Sequence, residues 1–364
     1  MRHIFFISLA AVFLSSCMGN NMNMNKTGDS LNITLEQAVK TQVLPDWFFN
    51  PSPGRSIGSI GMSRNMSIGA NPEDYARKYA VAGILNYYNI RVSDDNKAYK
   101  NLIKGDKITG NIGGVAINIP HILKTKDYII AHAIHMEGIS VKYNSDKFIS
   151  PPKCSPSWIC SPASGEYGGA IGVSYRAVSP QRQYEIAIKN GLLLLKYSYG
   201  IEVEGEEEFR RIKTGTGSIK IKRNNISASM VGDKESIKVY VKALRYDGET
   251  LYLWLVSPDL PVLEAGEKDW IAGRTFIGAV GSCRKTSLLS DQINKASYKA
   301  VIELAKNKKV DINVEELTRQ TSYSSFFDQL ITSGVNTRVF PVLKGFYLDK
   351  YEKVHVWLVP KQSK

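Results

Sequence analysis

The chain has 364 residues, and its 43% hydrophobic and 10% aromatic content can fill the cores of two or three domains, which excludes a fully disordered polypeptide. Lysine and arginine (47) outnumber aspartate and glutamate (34), so the net charge is +13. This surplus favours anionic partners such as lipid head groups, acidic polymers or nucleic acid, with nucleic acid the least favoured. The alternative is a lysine-rich surface that serves solubility alone.

The first residues have the pattern of an export signal. A short basic start, residues 1–3, precedes an apolar run over residues 4–14, which is too short to cross a bilayer but suits the core of a secretory signal. Small residues then lead directly to Cys17, which resembles the signal of bacterial lipoproteins. We expect residues 1–16 to be a signal peptide and Cys17 to be acylated and so to anchor the chain. An ordinary signal peptide with a chance cysteine is the alternative.

The residues that follow predict a tether. Residues 17–44 begin with an asparagine-rich stretch that lacks periodic apolar positions, which indicates a flexible linker. Met18, and not aspartate, follows the cysteine. By analogy with lipoprotein sorting in bacteria with two membranes, this favours the outer membrane.

A short glycine-containing phrase organises the rest of the chain. It occurs three times, with steps of 111 and 109 residues between matching positions. Its glycines predict a strand that either is approached closely by another backbone or contains a β-bulge. A recurrence at this spacing predicts three copies of one small domain. The three occurrences lie at residues 57–64, 170–176 and 277–284.

A helix is predicted after each phrase. Capping residues open it at Asn71, Ser179 and Ser290, and proline follows the first two. Small side chains at helical spacing would let each helix lie close to a sheet. These small residues are Ala76, Ala80, Ala296 and Ala300, and Gly83 and Gly191 occupy similar places in the first two copies.

A β-hairpin is predicted to close each copy. Its first strand is expected at residues 128–135, 237–244 and 337–343, with the return strand after a turn. The segments between helix and hairpin differ among the copies. They are a glycine-rich stretch (105–119), a charged stretch (202–222) and a stretch with a helical pattern (314–331).

The predicted fold class is therefore α+β. It consists of three tandem repeats of a small β-α-β-β unit, in which a helix packs on a mostly antiparallel sheet. The repeats are expected to span residues 45–152, 153–262 and 263–364, behind the signal and the tether.

Several of these features together resemble a known family. The lipoprotein cysteine, the opening at Trp47, the phrase at Ile57–Arg64 and the spaced alanines resemble the twenty-kilodalton outer-membrane lipoprotein family of Helicobacter, with flagellar lipoproteins of the FlgP type nearby. The resemblance implies dodecin-like α+β domains and no enzymatic activity or cofactor. It is best in the first copy, and this chain departs from it by carrying three copies instead of one.

The cysteines and histidines do not predict a catalytic or metal site. Cys154 and Cys160 can close a small disulfide loop in an oxidising compartment, worth roughly 2–3 kcal/mol, or they are two free thiols. Cys283 lies in the third phrase and is expected to be a small core residue. His132 and His135 are three positions apart in a predicted strand, so they face opposite sides and cannot share a metal ion.

The strongest candidate binding feature is a basic stretch in the second copy. The favoured interpretation is a solvated hairpin whose cations pair with the preceding acidic residues 202–208. The functional alternative is a contact with an anionic lipid or polymer. Its members are Arg210, Arg211, Lys213, Lys220, Lys222 and Arg223.

These observations favour a non-enzymatic, lipid-anchored protein of the cell envelope. It is expected to act as a structural or interaction scaffold that pairs sheets with copies of itself or with a protein partner. The alternative is a binding module for an anionic ligand, which uses the basic stretch.

Overall fold

A computed structural model describes residues 29–66, 71–135, 156–163, 168–214, 217–231, 237–263, 277–308, 311–320 and 325–361. The helices in these ranges are α1 (Leu35–Lys40), α2 (Asp46–Phe49), α3 (Pro72–Tyr87), α4 (Lys97–Lys104), α5 (Pro180–Lys196) and α6 (Leu289–Lys308). The strands are β1 (Asp29–Ser30), β2 (Ile57–Arg64), β3 (Thr109–Ile112), β4 (Val115–Lys124), β5 (Tyr128–His135), β6 (Gly169–Ser174), β7 (Ile201–Thr214), β8 (Gly217–Asn224), β9 (Ser227–Met230), β10 (Tyr240–Tyr246), β11 (Leu251–Val256), β12 (Ala279–Cys283), β13 (Asp311–Gln320), β14 (Ser325–Val339), β15 (Pro341–Leu348) and β16 (Val354–Pro360).

These elements form a mixed α+β fold with four sheets in the described residues. The first sheet has the order β1-β4-β5-β2, with β3 on β4, and its β1–β4 pair is parallel. The second sheet is β10-β11-β6, and the third is β15-β16-β12. The fourth has the order β13-β14-β7-β8, with β9 also on β7, and we call it the shared sheet. The three strands that carry the glycine phrase, β2, β6 and β12, each lie at the end of a different sheet.

A helix lies directly on each phrase strand, at one glycine. A Cβ atom added to that glycine would stand about 2 Å from a helix carbonyl, a distance that real side chains essentially never adopt. The predicted close approach is therefore confirmed. The contacts are Gly61 with the oxygen of Ala76 (2.2 Å), Gly172 with that of Ala187 (2.2 Å) and Gly281 with that of Ala296 (1.9 Å).

The helix residue one turn further along is also small at each contact. Its backbone nitrogen lies close to the same glycine, 2.4 Å from the added Cβ atom at Ala80 and 2.5 Å at Ala300. In the second helix this position is Gly191, whose nitrogen is 3.5 Å away. Gly191 therefore corresponds to Ala80, and not to Gly83 as the sequence suggested.

Each phrase strand pairs with a strand that carries a histidine or tryptophan ring. This ring bonds to the loop that precedes the phrase strand. Ile60, Ile171 and Val280 stand opposite His132, Trp254 and Trp357. In each of these three sheets the register of the next strand shifts beside that ring, between Asn118 and His121, Val241 and Ala243, and Leu343 and Gly345. The ring nitrogens bond to the carbonyl oxygens of Pro51 (His132, 2.9 Å), Pro162 (Trp254, 2.8 Å) and Ile277 (Trp357, 3.0 Å).

Two hairpin predictions need correction. In the third hairpin, the first strand is β15, which begins at Pro341, and residues 337–339 of the expected range belong to β14 instead. Residues 128–135 were expected to be the first strand of the first hairpin, but β5 is the second strand, and β4 precedes it across a turn at residues 125–127. Pro120 concealed β4 in the sequence, because proline weakens a strand pattern and is tolerated at a shift in register such as this one. The return strand expected after residue 138 lies outside the described residues.

The helical prediction for residues 314–331 is also wrong. Residues 314–320 fall in β13 and residues 325–331 in β14, and β14 pairs with β7 from Phe327–Lys213 to Val339–Ile201. The two long strands each extend over about 45 Å. Strands from two of the predicted repeats thus build one sheet.

Side-chain capping explains where two of the long helices, α3 and α5, begin. The Asn71 side chain accepts a hydrogen bond from the backbone N–H of Glu73 (3.1 Å), and Ser179 accepts one from Arg182 (3.2 Å). Proline occupies the first turn of both helices, as expected. In the third case the helix begins at Leu289, so Ser290 lies within its first turn and is not the cap.

The largest hydrophobic cluster extends over three of the sheets. It includes Trp47 beside the first sheet and Ile60 within it, Ile171 and Leu253 in the second, and Phe346 in the third. A smaller cluster lies between α3, α4 and the first sheet. None of the helices in the described residues is both long enough and apolar enough to cross a membrane.

Candidate functional site

The six predicted basic residues lie on the hairpin of β7 and β8, but they do not form one patch. Directly opposed residues of an antiparallel pair share a face of the sheet. Arg211 opposes Lys220, and alternation places Lys213 and Lys222 on that same face. Arg210 opposes Ile221 and Arg223 opposes Glu208, so these two arginines lie on the other face.

The face with four cations contains a repulsive contact. Arg211 and Lys220 stand directly opposite each other, an arrangement that destabilises a sheet unless an anion neutralises it. The Arg211 Nε atom is shielded from solvent and makes no hydrogen bond within the described residues. This part of the hairpin could therefore accept an acidic group.

Part of this face is already neutralised. The Glu207 carboxylate forms an ion pair with Lys222 and accepts a hydrogen bond from Lys306 of α6 at 2.9 Å. These two contacts, with Lys222 the larger contributor, hold the pKa of Glu207 below its usual range. The carboxylate thereby ties helix α6 to β7. On the opposite face, Arg223 lies 3.9 Å from Glu208.

The ends of the shared sheet differ in charge. In the described residues β8 has β7 as its only strand neighbour, and β13 has only β14. The β8 sequence contains three basic residues and no acid (Lys220, Lys222 and Arg223). The β13 sequence contains three acids and one base (Asp311, Glu315, Glu316 and Arg319). End strands of this kind expose unpaired backbone N–H and C=O groups to which another strand can bond.

The exposed side chains of β8 alternate between apolar and basic. Ile219 is 60% exposed and Ile221 37% exposed, and they flank Lys220. The sequence did not reveal β13 as the opposite edge. Its alternating Ile312 and Val314 were the available signal, but the neighbouring acids matched a helical pattern equally well.

Two of the four cysteines, Cys160 and Cys283, lie in the described residues. Cys160 is disulfide-bonded, and it ends a short 3-10 turn at Ser157–Ile159. Cys154 and Cys17 lie outside the described residues, so the pairing of Cys154 with Cys160 and the acylation of Cys17 stay predictions. Cys283 is a free, half-buried thiol. Its Sγ atom lies 3.3 Å from the carbonyl oxygen of Arg284.

The buried His132 and the half-buried His121 cluster with a tryptophan. The rings of Trp47, His121 and His132 are nearly parallel, with centroids 5.5–5.6 Å apart. Burial lowers the pKa of His132 to about 3 and also lowers that of His121. Both rings are therefore neutral at physiological pH. His135 faces the other side of the strand, with Nδ1 2.7 Å from the carbonyl oxygen of Ala116.

No three or more His, Cys, Asp or Glu side chains are arranged to hold a metal ion in the part of the chain that the structure describes. Comparison with known proteins yields no matching family model, no matching curated protein and no matching solved structure.

Proposed function

We propose that this chain is a non-enzymatic lipoprotein of the outer membrane, anchored through Cys17, that acts as an assembly scaffold. In this proposal it consists of three tandem α+β repeats, related to the lipoprotein family that its motifs resemble. Copies of the chain associate when the basic edge of the shared sheet in one copy pairs with the acidic edge in the next.

Recurrent packing supports the tandem repeats. The glycine contacts at Gly61, Gly172 and Gly281 and the helix residues above them recur with the spacings of 111 and 109 residues found for the phrase. The ring that bonds to the preceding loop and the neighbouring shift in register also recur in all three places. Unrelated domains would not be expected to share the glycine contact, the ring-to-loop bond and the shift in register.

The observation that supports assembly is the opposite charge of the two end strands, β8 and β13. A lysine-rich edge repels an identical edge, so β8 of one copy disfavours β8 of another. An acidic edge such as β13 neutralises it and can continue the hydrogen-bonded ladder. Because the two edges differ, each association leaves one edge open, and the contact generates rings or filaments.

The first test is sedimentation of the full chain carrying Cys17→Ser, so that no acyl group contributes. We expect concentration-dependent association that weakens with salt, since ion pairs at an exposed edge are screened. The variant Lys220→Gln/Lys222→Gln/Arg223→Gln should remain a monomer. A matched control neutralises three exposed cations elsewhere, Lys97, Lys104 and Lys126, and should associate normally. A strictly monomeric parent chain refutes the assembly proposal.

A second function is supported by a different observation, the opposed Arg211 and Lys220. In this alternative their face binds an anionic lipid or polymer. Flotation of the same Cys17→Ser chain with anionic and with neutral vesicles separates the two proposals. Binding to anionic vesicles by a strictly monomeric chain, lost in Arg211→Gln/Lys220→Gln, favours the binding module over the scaffold.

A further inference from the structure

A cavity of about 650 Å³ lies where the first and second sheets approach each other. β2 and the end of α3 form one side, and α5, β10 and β11 form the other. Its volume falls within the range of small-molecule sites in proteins, ~300–1,000 Å³. This cavity is separate from the shared sheet.

Hydrocarbon side chains form much of the inner wall. They come from both sides, and all but Val241 and Leu255 are only half-buried, so apolar surface remains open to a ligand. Partly exposed apolar walls that converge on a cavity favour an apolar ligand, because binding removes both surfaces from water. These side chains are Ile90, Ile188, Leu192, Ile237, Val239, Val241 and Leu255.

The rim of the cavity is cationic. Arg91 follows α3 and Lys196 ends α5, and both are exposed lining residues. Neither forms an ion pair with any residue that the structure describes, and none of the lining residues is acidic. Asn86 and Asn89 add amide groups to the same rim. The rim thus offers charge and hydrogen-bond donors to an anion above an apolar interior.

We propose that this cavity binds a single-chain fatty carboxylate, with the hydrocarbon chain against the apolar wall and the carboxylate at Arg91 and Lys196. Charge-assisted hydrogen bonds from the guanidinium and ammonium groups hold the head group. The chain supplies binding energy by burial. This site is independent of the proposed assembly through the shared sheet.

The test is calorimetric titration of the full Cys17→Ser chain with dodecanoate below its micelle concentration. We expect saturable binding of one dodecanoate per chain. Dodecyltrimethylammonium has the same tail but a cationic head, and acetate has the head group without the tail. Neither should bind measurably. Equal binding of dodecyltrimethylammonium, or no binding of dodecanoate, overturns the proposal.

Two variants locate the site. Arg91→Gln/Lys196→Gln should weaken dodecanoate binding about tenfold or more, because it removes both charged donors. The matched control Lys97→Gln removes an exposed cation that does not line the cavity, and should bind as the parent does. Val239→Trp should block binding by filling the cavity, with circular dichroism to confirm folding. Unchanged binding in the folded double variant, or binding only to phospholipid vesicles and not to monomeric dodecanoate, contradicts the proposal.

Discussion

At the contacting glycine of each phrase, any side chain would occupy space that a helix backbone already fills. Gly61, Gly172 and Gly281 are required for this reason, since the nearest atoms are backbone atoms that cannot move aside. The sequence predicted this close approach from the glycines and the spaced alanines. The prediction succeeded because the feature is local: both contacting segments lie within about one strand and one helix of each other.

We expect Gly61→Ala and Gly281→Ala each to lower the free energy of unfolding by about 1–3 kcal/mol, because the added Cβ forces the helix away from the strand. Urea unfolding measures the loss. Gly334→Ala is the matched control, since nothing lies within 4 Å of its added Cβ, and its effect should stay within about 0.5 kcal/mol. Equal losses in all three variants would exclude the helix contact as the cause.

His132 should make the stability depend on pH. Its pKa is about 3 in the folded chain and 6.5 when unperturbed, so from pH 6.5 downward the unfolded chain takes up a proton that the folded chain excludes. The free energy of unfolding should then fall by up to about 1.4 kcal/mol per pH unit from this group. Above pH 6.5 the ring has no such effect.

Urea unfolding between about pH 7 and about pH 5 measures this slope. The variant His132→Gln keeps a side-chain N–H group for the Pro51 carbonyl but cannot titrate, so its slope should be shallower than that of the parent. Some slope should remain, because burial also lowers the pKa of His121. Identical slopes for parent and variant would contradict the assignment to His132.

Among the elements, the link between α6 and the shared sheet depends on one carboxylate. Glu207 of β7 joins Lys306 of the helix to Lys222 of β8, and side chains of Glu207 and Lys306 are each only 16% exposed. Loss of this carboxylate leaves two cations close together, of which Lys306 is largely shielded from water while Lys222 is exposed. The helix and the hairpin would then repel each other.

Glu207→Gln should lower the free energy of unfolding by about 1.5–3 kcal/mol, the range for hydrogen bonds to charged groups. Urea unfolding at neutral pH measures it, and Glu208→Gln is the control, since Arg223 lies 3.9 Å away and is largely exposed. The difference between the two variants should disappear at acid pH. The pKa of Glu207 is lowered on folding, so its contribution is present above the unperturbed value of 4.5 and is lost below it. Equal losses at neutral pH contradict the link.

The sequence predicted elements with local signals and missed those defined by distant partners. The helices α3 and α5 carry their own caps, Asn71 and Ser179, and were predicted. β14 is a strand because it pairs with β7, more than 100 residues earlier, which no local pattern reveals. The same limit applies to the basic stretch, whose members could be listed from the sequence but not assigned to two faces of a sheet.

At the scale of the whole molecule, the proposed assembly depends on the two edges of the shared sheet. Lys220, Lys222 and Arg223 make β8 basic, and Asp311, Glu315 and Glu316 make β13 acidic. Reversal of the charges in either set of residues gives a chain whose two edges carry charge of the same sign. Each such variant alone should be monomeric, because its edges repel each other.

A charge-swap experiment tests this claim most directly. One variant carries Lys220→Glu/Lys222→Glu/Arg223→Glu, and the other carries Asp311→Lys/Glu315→Lys/Glu316→Lys, both with Cys17→Ser. Analytical ultracentrifugation should find each alone as a monomer and an equimolar mixture as assemblies larger than a dimer, since mixing restores opposite charges at every contact. A mixture that remains monomeric while the parent chain assembles would contradict edge-to-edge pairing of β8 with β13.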